Sequence, residues 1–203
     1  MKSPTRNIVW FRRDLRIRDH PALNAALESS DEIVPVFILD KKQIAEAGAK
    51  LLAYMGQSLR ALDESLGNCL HIIEGDQVEV LNELITLYGV SEVHISDEYE
   101  RYGAARDARV EAAGITLVRT GSPYAVTPGR VVKPTDGTPY KVYTPFYKAW
   151  CAHGWRAPAK TPAKIPAVKP PDKYRAFPDF VMPEGAQVIA AGEKAALARF
   201  KEF

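Results

Sequence analysis

Two clusters of side chains in this sequence have types and spacings that could do chemistry. The first lies behind a short apolar run, where Ile8-Val9-Trp10-Phe11 gives way to Arg12, Arg13, Asp14, Arg16 and Arg18. Guanidinium forks bind carboxylates, phosphates and backbone carbonyls at two points. The cluster therefore suits either an anion site or a structural brace. The second cluster, Asp97-Glu98-Tyr99-Glu100-Arg101-Tyr102-Gly103, follows a later apolar run. Acidic and aromatic side chains together suit a planar ligand that carries hydrogen-bond donors and a sugar-like chain. The same carboxylates would equally neutralise Arg12 and Arg13. Asp40 closes a third apolar run and points to the same rim.

Other chemistries find little support. No Gly-x-Gly-x-x-Gly follows the first apolar run and no Gly-Lys-Ser/Thr loop occurs, so the common phosphate cradles are missing. Cys151 and His153 have no second ligand pair at zinc spacing, and no metal is expected. His20, His71 and His94 stand apart from one another, the last two inside apolar runs where a satisfied core histidine is the plain reading. No set of residues reads as a nucleophile with its base, so no catalytic residue is expected.

The elements that must position these groups follow from periodicity. Ile8–Phe11, Ile33–Leu39, Leu70–Glu74, Glu92–Ser96 and Thr116–Val118 read as strands, rich in Val and Ile and bounded by charge or Gly. Helical patterns lie between them at Ala22–Ser29, Ala49–Leu66, Val78–Tyr88 and Ala104–Ala113. Asp19 or His20 before Pro21, and Asp76 before Val78, are start signals; Gly67, Gly89 and Gly114 are stop signals. Strands alternating with helices predict an α/β fold, a doubly wound, five-stranded parallel sheet of the Rossmann-like kind. In such sheets ligands bind beyond the C-terminal strand ends, where the strand order reverses. With the first and fourth strands flanking that point, the two clusters face one crevice.

Beyond Gly121 the pattern changes. Val131–Lys133 and Tyr140–Tyr143 flank an Asp136-Gly137 turn and predict an appended hairpin, followed by a short helix Phe146–Cys151. Tyr140, Tyr143, Phe146, Tyr147, Trp150 and Trp155 form an aromatic cluster with lysines interleaved. It reads as an apolar seam holding hairpin and helix onto the sheet, with single-stranded nucleic-acid binding as the other reading. Pro158, Pro162, Pro166 and Pro170 recur among Ala and Lys and predict an extended linker rather than a packed element. The expected division is an α/β domain over 1–155, a Pro-rich linker over 156–189, and the start of a further helix over 190–203, with something continuing past Phe203.

Bulk composition is ordinary for a globular protein, with 46% hydrophobic residues, 26% charged residues and a net charge of +2. That balance argues against a whole-chain nucleic-acid clamp. Two distant cysteines, no apolar leader after Met1 and no long apolar window predict a cytoplasmic protein with no membrane partner.

Several motifs together resemble the N-terminal domain of the DNA photolyase/cryptochrome family. They are Trp10-Phe11-Arg12-Arg13-Asp14-Leu15-Arg16, Asp19 with Pro21-Ala22-Leu23, Phe37-Ile38-Leu39-Asp40, Tyr140 to Phe146 with Trp150, and Gly192-Glu193-Lys194-Ala195-Ala196. The resemblance implies a domain that holds an antenna chromophore, with FAD carried by a helical domain that these 203 residues cannot contain. It implies a deoxyribodipyrimidine photo-lyase for the full-length protein, repairing cyclobutane pyrimidine dimers in DNA by light-driven electron transfer, and an inactive unit when the present residues stand alone. A cryptochrome photoreceptor or a stand-alone nucleotide-binding α/β module are the alternatives. Folate-binding relatives carry an Asn-Glu pair where Tyr102-Gly103 stand, so a flavin or deazaflavin antenna is favoured. By that resemblance Phe37, Asp40 and Glu100 line the ring pocket, with Tyr102 and Arg12 beside it. Relatives have a basic residue where Leu51 stands here, which Lys50 supplies from one position away.

Overall fold

The computed structural model describes residues 3–202, and its centre is a five-stranded, all-parallel sheet in the order β3-β2-β1-β4-β5. The strands are β1 (Arg6–Trp10), β2 (Glu32–Leu39), β3 (His71–Glu74), β4 (Val90–Ile95) and β5 (Leu117–Arg119). Between them run α1 (Pro21–Ser29), α2 (Lys41–Glu46), α3 (Ala49–Ser65), α4 (Gln77–Tyr88) and α5 (Arg101–Ala112). The expected doubly wound sheet is present, and β1 pairs with both β2 and β4, so the reversal of strand order falls beside β1.

Both faces of the sheet are covered, which is why its strands are apolar throughout rather than alternating. Ile8 and Trp10 point toward α4 and α5, where Val36, Leu81, Leu84 and Val110 complete one core. Val9 and Phe11 point the other way, onto Leu23, Phe37, Leu59 and Leu62 beneath α1 and α3. The chain turns where local chemistry requires it. His20 caps α1, its Nδ1 accepting the N–H of Leu23 at 3.1 Å, and Asp76 caps α4 through the N–H groups of Val78 and Glu79. Gly89 ends α4 at φ +63°, a left-handed conformation that costs glycine little.

α2 is the helix that the sequence reading does not contain. It buries no residue, so no apolar stripe announces it; the Asp40 carboxylate, accepting from Lys42 N (2.8 Å) and Gln43 N (3.3 Å), starts it instead.

Four expectations for the second half need correction. The hairpin is reduced to one bridge, Val132 with Pro139, because Pro134 and Pro139 lack the N–H donors that a ladder needs. The following helix is longer than expected, α6 (Tyr143–His153), and buries none of its residues, so its aromatics are not a seam on the sheet. They stack on one another instead, Tyr143 on Tyr147 and Tyr147 on Trp150, with centroids 5.8 and 6.5 Å apart.

The Pro-rich segment is a packed strap, not a free spacer. Ile33 of β2 lies below the first residue of β3, leaving one flank of its backbone open, and the strap fills it. Ile33 N donates to Pro166 O and Val168 N donates to Ile33 O, both at 2.9 Å. Farther on, Tyr174 is buried and Arg175 reaches Asp63 at 2.8 Å. A last helix, α7 (Glu193–Phe200), docks by its first residue, whose carboxylate accepts the N–H groups of Ile17 and Arg18.

Candidate functional site

The crevice at the C-terminal ends of β1, β2 and β4 gathers the reactive side chains. Trp10 ends β1, and the chain continues through Phe11 into Arg12, whose side chain turns back under the β4 end. There the Arg12 guanidinium meets both Asp107 oxygens at 2.7 and 3.0 Å, Glu98 at 3.1 Å, and the Ser96 carbonyl. Arg106 shares both carboxylates, 2.8 Å from Asp107 and 3.4 Å from Glu98. The two guanidinium groups lie over the Trp10 indole, 5.3 and 4.8 Å from its centroid. Two cations thus stand against two carboxylates on one ring, a balanced arrangement with stacking as well as charge. Burial, with Arg106 close by, lowers the Arg12 pKa, and the carboxylates oppose that shift. Gly103 makes room for this network, since a Cβ there would stand 2.5 Å from the Glu98 carboxylate.

Asp14, His20 and Ser96 meet just beneath, and their residue types invite comparison with a catalytic triad. The connections are wrong for that role. Ser96 Oγ donates to Asp14, not to His20, while His20 Nε2 stands 3.0 Å from the same carboxylate and its Nδ1 is engaged as the α1 cap. No base is paired with a nucleophile, and all three residues are buried. Burial alone would raise the Asp14 carboxyl, but His20 and Ser96 override it and hold Asp14 well below the usual carboxylate range. Among the described residues no group of three or more His, Cys, Asp or Glu is placed to hold a metal ion.

Asp40 is the hub of the open part of the crevice. Its Oδ1 caps α2, and its Oδ2 accepts from Gln77 Nε2 at 2.7 Å and from the Tyr102 hydroxyl. These donors outweigh the effect of burial and lower its pKa, while partial burial and Asp40 push Tyr102 up to about 12. Three cavities touch Asp40. A slot of about 90 Å³ lies against Trp10, Phe37, Glu98 and Arg106. An apolar cavity of about 130 Å³ runs between the end of β2 and Ile44, Leu51, Leu52 and Met55. An open groove of about 770 Å³ passes Lys42, Gln77, Ala105 and Arg109. An apolar pocket, a carboxylate acceptor and a polar exit are together what a flat heterocycle with a hydrophilic tail requires.

Of the expected site residues, Phe37, Asp40, Tyr102 and Arg12 come together here. Lys50 and Glu100 do not. Lys50 is exposed on α3 and lines none of these cavities; the neighbouring Leu51 and Leu52 face the apolar one. Glu100 precedes α5 and forms an exposed pair with Arg13 at 2.6 Å. Gln77 and Arg106 join the site without having been singled out for it. Arg106 stands four positions after Tyr102 on α5, a spacing that puts both on one helix face. Gln77 offered no such signal, since its position depends on β2 and α4 meeting.

Comparison with known proteins agrees with this fold. Residues 7–167 match the family model described as DNA photolyase. Over 170 residues the chain is 35% identical to a deoxyribodipyrimidine photo-lyase of Streptomyces griseus, covering 78% of this chain and 37% of that protein. A class III photolyase structure from Agrobacterium tumefaciens superposes with a TM-score of 0.73 at 27% identity, over 100% of this chain and 45% of the other. An archaeal photolyase from Sulfolobus tokodaii, solved with two FAD molecules and discussed for a novel light-harvesting cofactor, gives 0.69 at 25% identity over 81% of this chain and 39% of the other. The chain thus spans less than half the length of each of these relatives.

Proposed function

The chain belongs to the DNA photolyase family, and from that premise we propose that its α/β unit is a light-harvesting module holding a flavin-type chromophore in the crevice around Asp40. The observation that carries this reading is the convergence of the apolar cavity, the narrow slot and the open groove on one carboxylate. Phe37 and the Leu52/Met55 cavity would flank the ring, Asp40 would accept a ring N–H, and the groove past Gln77 would take a polyhydroxylated tail. When bound, the chromophore supplies light absorption and dipole coupling to a second pigment. The protein then needs only to hold it rigidly, and no acid, base or nucleophile is required. A light-collecting role therefore agrees with the unproductive wiring of Asp14, His20 and Ser96.

A flavin or deazaflavin fits better than folate, because Tyr102 and Gly103 stand where folate-binding relatives have Asn-Glu. A nucleotide-binding module is disfavoured: Lys41, Lys42, Arg106 and Arg109 in the groove are matched by Asp40, Glu74, Asp76 and Glu79, leaving no excess charge for a phosphate chain. For the protein as a whole we propose the deoxyribodipyrimidine photo-lyase reaction on pyrimidine-dimer DNA, with FAD bound by a helical domain in the same polypeptide. The present residues alone are then inactive in repair. The test is calorimetric titration with riboflavin, 5,10-methenyltetrahydrofolate and ATP. Saturable binding of riboflavin alone supports the assignment; binding of ATP or the folate in its place overturns it.

A further inference from the structure

The slot beside Trp10 is too small for a ring. Its volume of about 90 Å³ is far below the roughly 300 Å³ at which small-molecule pockets begin. The open groove lies immediately outside it, and the slot and groove share Asp40, Gln77, Tyr102 and Arg106 as their dividing wall. Tyr102 and Arg106 are the part of that wall built from one face of α5.

The state of Asp40 decides which part of the wall can yield. Each of its oxygens already takes two donors: Oδ1 accepts Lys42 N and Gln43 N, and Oδ2 accepts Gln77 Nε2 and the Tyr102 hydroxyl. An arriving ring N–H must therefore displace one of them. The two backbone donors are fixed by α2. Gln77 is 5% exposed and is held at its other end by Arg109. Tyr102 is 40% exposed, sits in the first turn of α5, and has its Asp40 bond as its only hydrogen bond among the described residues. It is the one donor that can leave without breaking anything else.

Resting on the chromophore reading above, we propose that Tyr102 is the gate and the selectivity element of this site. Its phenol occupies the ring N–H position on Asp40 and yields only to a ligand that returns an N–H donor to the same oxygen. Swinging out, it joins slot to groove and opens a path for the ring past Arg106. A ring alkylated at that nitrogen displaces the Tyr102 hydroxyl without returning a donor, so Oδ2 loses a charge-assisted bond and keeps Gln77 alone.

The experiment is flavin-fluorescence titration, at equilibrium and by stopped flow, of the wild type, Tyr102→Phe and Asp40→Asn with riboflavin and N3-methylriboflavin. Tyr102→Phe removes the tie but keeps the ring. It should bind riboflavin about tenfold more tightly, with a faster association rate, since a charge-assisted bond no longer has to be broken. The wild type should discriminate against the N3-methyl compound by about tenfold or more. Equal or weaker riboflavin binding by Tyr102→Phe, with the wild type binding and Asp40→Asn not, would overturn the gate while leaving the site intact. If the wild type binds neither flavin, the site assignment itself falls and the gate with it.

Discussion

Arg12 holds Asp107 by both carboxylate oxygens, at 2.7 and 3.0 Å, across the reversal point of the sheet. The two residues are separated by 95 positions, and each is almost fully buried. The pair joins the end of β1 to the middle of α5, so the crevice wall is braced by charge. Removing Asp107 leaves two buried guanidinium groups, Arg12 and Arg106, with Glu98 as their one close carboxylate, an uncompensated charge in a poorly solvated site. Asp107→Ala should therefore cost about 3–5 kcal/mol of folding stability, read from urea denaturation. A loss below about 1 kcal/mol, the range of an exposed pair, would contradict a bracing role.

Burial pushes His71 down to about 4 from its ordinary 6.5. Its Nδ1 faces the carbonyls of Pro35 and Cys69, so that nitrogen carries the proton, and Nε2 at 3.0 Å from Tyr88 Oη accepts. The unfolded chain takes up a second proton below about pH 6.5, and the folded chain resists it down to about 4. Stability is therefore complete above pH 6.5 and is lost as pH falls through this window, by up to roughly 3 kcal/mol. Asp14, lowered in the folded state, adds a loss of the same sign at more acidic pH. In urea melts between pH 7.5 and 4.5, His71→Gln should show a shallower decline than the wild type. Parallel declines would refute the assignment.

The sequence carries the sheet plainly, because strands covered on both faces, such as Ile33–Leu39, appear as unbroken apolar runs. It also brings Asp40, Phe37, Tyr102 and Arg12 to one crevice, through strand ends and family motifs. What it does not carry is made by side chains acting across distance or on backbone. α2 starts from a carboxylate cap, not from an apolar stripe. The partner of Arg12 is set by where α5 lands. The Pro-rich strap looks like a spacer until Ile33 offers an open flank. Lys50 and Glu100 illustrate the converse: two positions taken from motif order lie exposed, outside the cavities around Asp40.

Arg175 anchors the strap to Asp63 at 2.8 Å and stacks on Phe177, 5.1 Å from its ring centroid. Arg175→Ala should cost about 1–2 kcal/mol, reflecting a charge-assisted bond to a carboxylate that Leu70 N still partly satisfies. It should also expose residues 156–175 to limited proteolysis. Cleavage no faster than in the wild type would show that the anchor is dispensable.

The three tryptophans divide by environment. Trp10 is 3% exposed under Arg12 and Arg106, whereas Trp155 is 60% exposed and Trp150 is half-buried beside it. Iodide should quench most of the wild-type emission accessible to it, and Trp150→Phe/Trp155→Phe should remove that fraction and leave a protected Trp10 signal. An unprotected residual signal would place Trp10 outside the core.

That double variant gives the most direct test of the central claim, that the crevice around Asp40 holds a flavin-type ring. Trp10 lines the slot itself, and its emission overlaps flavin absorption. Titration with riboflavin should quench the isolated Trp10 emission to saturation, and adding Asp40→Ala should abolish the effect. Riboflavin that binds without changing Trp10 emission, or a folded protein that does not bind it, would contradict the account.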